Sequence, residues 1–241
     1  MTLAYHGVNE TSPGEDPMAL VMPPALLESQ VRLLLALGYR VVTAEQLLAE
    51  HGPGRPGNGT AVLTFDDGWL DAVTMVAPLL RRLGVRATFY LNPSLWGTAH
   101  PQVSGPAGRL MTADQARELV DAGMELGAHS MRHDDLRTLD DATLAADLRD
   151  CKESVESVTG RPCRTLAYPF GAHDARVRAA ACTARYELAW AWLPGRWDPF
   201  AAPRIPGPTR RGGAHLALKL AGVGRRRRIG PPPVPVASVS R

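Results

Sequence analysis

Short apolar runs alternate with amphipathic stretches along most of this 241-residue chain. Leu3-Ala4-Tyr5 reads as a strand. Pro24 to Leu37 reads as a helix, because Leu26, Leu27, Val31, Leu34 and Leu35 recur at helical spacing and Gly38 supplies a stop. Arg40-Val41-Val42 forms a second strand, and Thr43 can cap a helix that begins at Ala44. Further strands are predicted at Ala61 to Phe65, Arg86 to Leu91, Met124 to Ala128, Thr165 to Tyr168 and Tyr186 to Trp190, with a last one at Arg204-Ile205. Between them lie helical patterns at Leu70 to Leu83, Ala113 to Ala122, Asp141 to Val158 and Asp174 to Cys182. Glycines 84, 123 and 160 punctuate the ends of the first three.

Alternation of strand and helix at this spacing predicts an α/β fold with a mostly parallel sheet. Periodicity alone leaves two closures open, a barrel or an open doubly wound sheet. In both, ligands collect at the carboxyl ends of the strands. His6, Asp66-Asp67, His129 and Tyr168-Pro169 each follow a predicted strand, so four polar clusters are expected at one rim.

Composition narrows the class without naming a partner. Apolar residues make up 45%, enough for a sizeable core, and the formal charge is only +3. Only Lys152 and Lys219 among 27 cationic residues are lysine, a bias unlike a built nucleic-acid surface, so no nucleic-acid partner is expected. The dense cluster Arg225 to Arg228 with Pro231-Pro232-Pro233 lacks periodicity, and residues 223–241 read as a basic, Pro-rich, disordered tail after a domain spanning 1–222. Cys151, Cys163 and Cys182 have neither the number nor the spacing of a disulfide framework. No apolar run is long enough for a membrane span and no leader pattern precedes Leu3, so a cytoplasmic location is expected.

The chemistry lies in two short motifs. Thr64-Phe65-Asp66-Asp67-Gly68 puts two carboxylates at the end of a buried strand, where each loses solvation and each raises the other's pKa. Such a pair asks for a compensating cation. His129-Ser130-Met131-Arg132-His133 offers two imidazoles four residues apart, which face one way if the segment is a helical turn. One carboxylate and two imidazoles leave a coordination position open, the pattern of a catalytic site. The second aspartate can then take a proton from water, and the reaction class is hydrolysis of an ester or amide.

Thr-Phe-Asp-Asp-Gly together with His-Ser-x-x-His resembles the polysaccharide deacetylases, carbohydrate esterase family 4. The similarity runs from about Leu3 to Ile205. The resemblance implies a distorted, incomplete (β/α) barrel. It implies Asp66 as general base, with Asp67, His129 and His133 holding a divalent metal, usually Zn2+. It implies a hydrolase that removes N-acetyl groups from an amino-sugar polymer or conjugate; a monomer is expected. Two rivals remain open: a deacetylase or amidase acting on a small non-polymeric substrate, and a carbohydrate-binding protein with impaired catalysis.

Leu166-Ala167-Tyr168-Pro169-Phe170-Gly171 resembles the family motif Arg-x-Pro-aromatic, which lines the substrate groove and supplies a backbone N–H to the oxyanion. Ala167 stands where the family has the Arg that orients the base, and Arg204 is the candidate substitute. Leu3-Ala4-Tyr5-His6 resembles the branch in which the acid motif is displaced to the N-terminus, as in poly-N-acetylglucosamine deacetylases, so His6 is preferred to His215 as general acid. Trp69 can stack on a sugar or pack; Asp174 can bond a sugar hydroxyl or cap the next helix. Core packing is the default for Trp190, Trp192 and Trp197, although the family builds an acetyl pocket in this segment.

Overall fold

The computed structural model describes residues 1–12, 14–55, 57–192, 196–210 and 216. Eight parallel strands are present among them: β1 (Thr2–Tyr5), β2 (Arg40–Val42), β3 (Thr60–Phe65), β4 (Thr88–Leu91), β5 (Glu125–Ala128), β6 (Thr165–Ala167), β7 (Leu188–Trp192) and β8 (Ala202–Pro206). β1 pairs with both β3 and β8, with Leu3 in register with Leu63 on one side and Ile205 on the other. That double pairing closes a seven-stranded barrel, which the element pattern alone left undecided. β2 stays outside the ring: it pairs along residues 60–62 of β3, and β4 pairs farther along, at Thr64 and Phe65.

Among the described residues six α-helices accompany the strands: α1 (Pro24–Ala36), α2 (Ala44–His51), α3 (Ala77–Arg82), α4 (Ala113–Asp121), α5 (Asp141–Thr159) and α6 (Ala175–Thr183). Their limits follow local chemistry. Thr43 and Thr112 form capping boxes with Gln46 and Gln115, and Asp140 and Asp174 cap α5 and α6. Gly160 ends α5 in the left-handed conformation. One expectation changes: Leu70 to Leu83 is not a continuous α-helix. Ala72–Val76 is a π-helical turn leading into α3. Pro78 gives the reason, since it lacks an N–H and would crowd a preceding carbonyl in a regular α-turn.

The strands alternate two faces. Leu63, Phe65, Phe89, Leu91, Leu166, Ala189 and Ala191 join the core that packs under the helices. Val62, Tyr90, Ala167, Leu188, Trp190 and Ala202 form a second cluster, which we read as the lumen. Ala44, Leu47 and Leu48 of α2 join this second cluster and stopper the amino end of the barrel. Gly127 lets the Tyr90 ring approach the wall: a Cβ there would lie 2.3 Å from the ring. Among the described residues no helix is long and apolar enough to cross a membrane. Residues 223–241 and His215 lie outside the described residues.

Candidate active site

Alternation along β3 turns Thr64 and Asp66 inward, and the buried rim begins there. Asp66 closes the strand by donating its N–H to the Tyr5 carbonyl at 2.9 Å. Its carboxylate receives a two-pronged contact from Arg204 on β8, 2.7 Å to each oxygen. The same guanidinium donates to Thr64 Oγ1 at 3.1 Å, and that hydroxyl in turn donates to the Leu3 carbonyl. Arg204 is fully buried, with its guanidinium carbon 5.1 Å from the Trp192 ring. Burial pushes the Asp66 pKa up, but the Arg204 charge and then His129 pull it down further, and it settles below the usual carboxylate range. Arg204 therefore makes, from another strand, a contact with Asp66 that Ala167 has no side chain to make.

Asp67 turns the other way. Its φ is +73°, a left-handed conformation unfavourable for a side chain with a Cβ. Its Oδ1 lies 3.4 Å from His129 Nε2 and 3.4 Å from His133 Nε2. That oxygen is buried and has no hydrogen-bond partner among the described residues. Burial pushes the Asp67 carboxyl up, yet the His100 and His129 contacts hold it well below its ordinary value.

His129 follows β5, where its N–H bonds the Leu91 carbonyl. Its Nδ1 lies 2.6 Å from the Ala167 carbonyl, which can only accept. Nδ1 therefore carries a proton, and Nε2 is the ring nitrogen that faces the aspartates. Burial lowers the His129 pKa, but Asp66 and then Asp67 raise it more, for a net upward shift. His133 is pushed down to about 4, first by burial and then by its neighbour His129.

The His129–His133 segment is not the helical turn that its spacing suggested. Ser130 and His133 both have φ of +63°, and the rings meet edge to face at 4.9 Å. Side chains hold this bent backbone. Ser130 Oγ accepts the His133 N–H at 2.9 Å, Asp147 accepts the Met131 N–H at 3.0 Å, and the Asn92 amide donates to the His129 and Ser130 carbonyls. Asn92 and Asp147 were not singled out in the sequence. Asn92 follows a predicted strand, a signal available there, but Asp147 lies within a helix pattern that gave none.

The donor atoms of Asp67, His129 and His133 all lie within 4.8 Å of one another. Two imidazole nitrogens and one buried, unpartnered carboxylate oxygen fit a divalent metal.

The remaining predicted residues fare unequally. His6, half-buried after β1, faces the Trp192 ring at 6.4 Å, on the same side as Asp66 and Asp67. Phe170 is 56% exposed and meets His133 edge-on at 4.6 Å, so it lies at the open rim. Pro169 and Tyr168 are buried; the Tyr168 hydroxyl donates to the Phe200 carbonyl and its N–H to the Trp190 carbonyl. Tyr168 thus supports the loop from behind. Trp69 is 1% exposed and stacked on His100 at 4.4 Å, which leaves no face for a sugar. Asp174 caps α6 through the Val177 N–H at 2.8 Å. Trp190 fills the lumen and Trp197 packs beside it, whereas Trp192 lines the site. His100 is a further site residue that the sequence gave no motif to find.

A polysaccharide deacetylase family model matches residues 54–189. Among curated proteins, Bacillus subtilis (strain 168) YxkH, whose name assigns it provisionally to the polysaccharide deacetylases, is 22% identical over 194 residues, covering 80% of this chain and 64% of its own. The chitin deacetylase of Pestalotiopsis sp is 31% identical over 111 residues, covering 46% of this chain and 34% of its own. The chain therefore spans less than two thirds of these relatives. Among solved structures, Streptococcus pyogenes deacetylase PplD superposes with a TM-score of 0.77 at 23% identity, covering 90% of this chain and 96% of the other. A de-N-acetylase from Aggregatibacter actinomycetemcomitans gives 0.73 at 21% identity, covering 90% and 98%. These two likenesses concern the fold, a closed parallel barrel with helices outside it. With more than half of its residues matched by the family model, the chain belongs to the polysaccharide deacetylase family.

Proposed function

We propose that this protein is a metal-dependent hydrolase that removes the acetyl group from the nitrogen of an amino sugar, in a polymer or a conjugate. The observation that carries the reading is the division of labour between adjacent aspartates. Asp66 is bound through both oxygens by Arg204, whereas Asp67 turns an unpartnered oxygen toward two imidazoles. Asp67, His129 and His133 would hold the metal, with Zn2+ the best match to the donor set. Bound there, a divalent cation supplies Lewis-acid activation of water and of the acetyl carbonyl.

The chain's own residues do the proton work. Asp66, kept ionised by Arg204, accepts the proton of the attacking water. His6, across the site, returns a proton to the departing nitrogen. Tyr168 cannot give its N–H to the oxyanion, because that N–H is bonded to the Trp190 carbonyl. Phe170, exposed beside His133, is the better candidate for that backbone donor. Acetate and a free amine are the products.

The Arg204 contact also weighs against an impaired binding protein, since the feature that suggested impairment, Ala167, is compensated. The direct test is acetate release from a panel of N-acetylated glycans and soluble conjugates, with zinc content measured alongside. Zinc bound by the purified protein, and acetate release lost in Asp66→Asn while zinc is kept, are the expected results. A protein that binds no divalent metal, or an Asp66→Asn variant with unchanged turnover, would overturn the reading.

A further inference from the structure

We propose that His100 is a positioning residue for Asp67, holding one carboxylate oxygen so that the other alone serves the metal. This inference rests on the metal role proposed above. The two oxygens of Asp67 face different partners. Oδ1 points to His129 and His133, while Oδ2 lies 3.5 Å from His100 Nε2. The position of the His100 ring proton follows from its other nitrogen. His100 Nδ1 accepts the Gln102 backbone N–H at 3.2 Å, and an N–H needs a lone pair there. The ring N–H is therefore at Nε2, the atom aimed at Asp67.

The mounting is rigid. The imidazole is stacked on the buried Trp69 ring, 4.4 Å between centroids at 24°. Its backbone N–H donates to the Gly108 carbonyl at 2.6 Å. The loop that carries it is tied down by bridges between Trp69 and Leu110 and between Ala99 and Arg109. Trp69 also packs in a small apolar cluster with Val21, Val103 and Leu110, apart from the main core. Residues far apart in sequence thus converge to fix one N–H beside one oxygen. A carboxylate free to rotate would offer either oxygen to a cation. With Oδ2 held by an N–H, Asp67 presents Oδ1 in the direction of both imidazoles, and less ordering is left to occur when the metal binds.

The test is Zn2+ affinity, measured by competition with a chromophoric chelator on the full chain, together with the absorption spectrum of the Co2+-loaded protein. His100→Phe keeps a ring to stack on Trp69 and removes the N–H; His100→Gln restores an N–H near the Nε2 position. We expect Zn2+ affinity to fall roughly 10- to 100-fold in His100→Phe. His100→Gln should recover most of that loss. The Co2+ bands should keep the wild-type pattern, because the ligand set is unchanged. Equal Zn2+ affinity in wild type and His100→Phe overturns this inference alone. So does a His100→Gln variant no better than His100→Phe, or a Co2+ spectrum showing a lost ligand. A wild-type protein without Zn2+ affinity overturns the proposed function, and this inference with it.

Discussion

The two ends of the barrel both bury carboxylates, and they treat them in opposite ways. At the amino end, Glu125 opens β5. Its oxygens accept from the Thr88 hydroxyl and from the Glu45 N–H, both neutral donors. Burial pushes its pKa up to about 7, and its hydrogen bonds from neutral groups only partly offset this. Nearby, Arg164 pairs with Glu187 at 2.6 Å and with Glu45 at 3.3 Å, linking α2 to β7 at the surface. At the carboxyl end, Asp66 and Asp67 are held below their ordinary pKa by a buried guanidinium and by imidazoles. The backbone there contains left-handed residues other than glycine, namely Asp67, Ser130, His133 and Phe170. One end satisfies its polar groups and closes the barrel; the other leaves a carboxylate oxygen without a hydrogen-bond partner beside two imidazoles. Strain and unsatisfied groups concentrate where chemistry is proposed.

The contrast can be broken most sharply at the rim. Asp67→Ala and His129→Ala should each abolish stoichiometric zinc binding and acetate release, checked by metal analysis of the purified variants. Their metal-free forms should melt no lower than wild type, since a strained or buried polar group is removed; a large fall in melting temperature would make the site structural. Asp66→Asn should keep zinc and lower turnover by about 10²–10⁴-fold.

Arg204 sits between chemistry and stability. Arg204→Met leaves Asp66 buried and unpaired, and urea denaturation should show a loss of about 3–5 kcal/mol. Turnover should fall as well. The double variant Arg204→Met with Asp66→Asn should recover much of the stability but none of the activity, because it removes the orphaned charge along with the base.

At the amino end the effect is smaller and its sign is set by titration. Glu125 has a raised native pKa, so the native state binds more protons than the unfolded chain between about pH 4.5 and 7. Its contribution to stability is therefore lost as pH rises through that window. Glu125→Gln removes the group, and its melting temperature should gain on wild type between pH 5 and pH 8 with acetate release unchanged. Outside the amino end, four residues beyond Asp67, Asp71 is likewise pushed up to about 7 by burial while accepting the Val8 N–H, and Asp71→Asn should shift stability in the same direction. Smallest of all, Arg164→Ala at the partly exposed pair should change stability by about 1 kcal/mol or less, and less again at high salt.

Much of this was legible before any coordinates. Strands and helices appear close to where periodicity places them, because apolar residues at period two or 3.6 must bury a face. Thr43, Thr112 and Asp174 announce helix starts because a capping oxygen must precede the first free N–H groups. The Asp66-Asp67 pair was visible because two adjacent carboxylates after an apolar strand are unfavourable without a partner. The bend at His129–His133 was not legible, because no spacing rule encodes two left-handed residues held by Asn92, Ser130 and Asp147.

By itself, then, the sequence determined the alternating α/β pattern, the rim on which the polar clusters stand, and the identity of the acidic and imidazole groups. Those properties depend on neighbours within a few residues. Closure of the ring through β1, the capture of Asp66 by Arg204 across 138 positions, and the approach of His100 to the far oxygen of Asp67 were decided only by the tertiary structure. Each depends on which strands and loops become neighbours in space, and the buried charges acquire their partners only when the barrel closes.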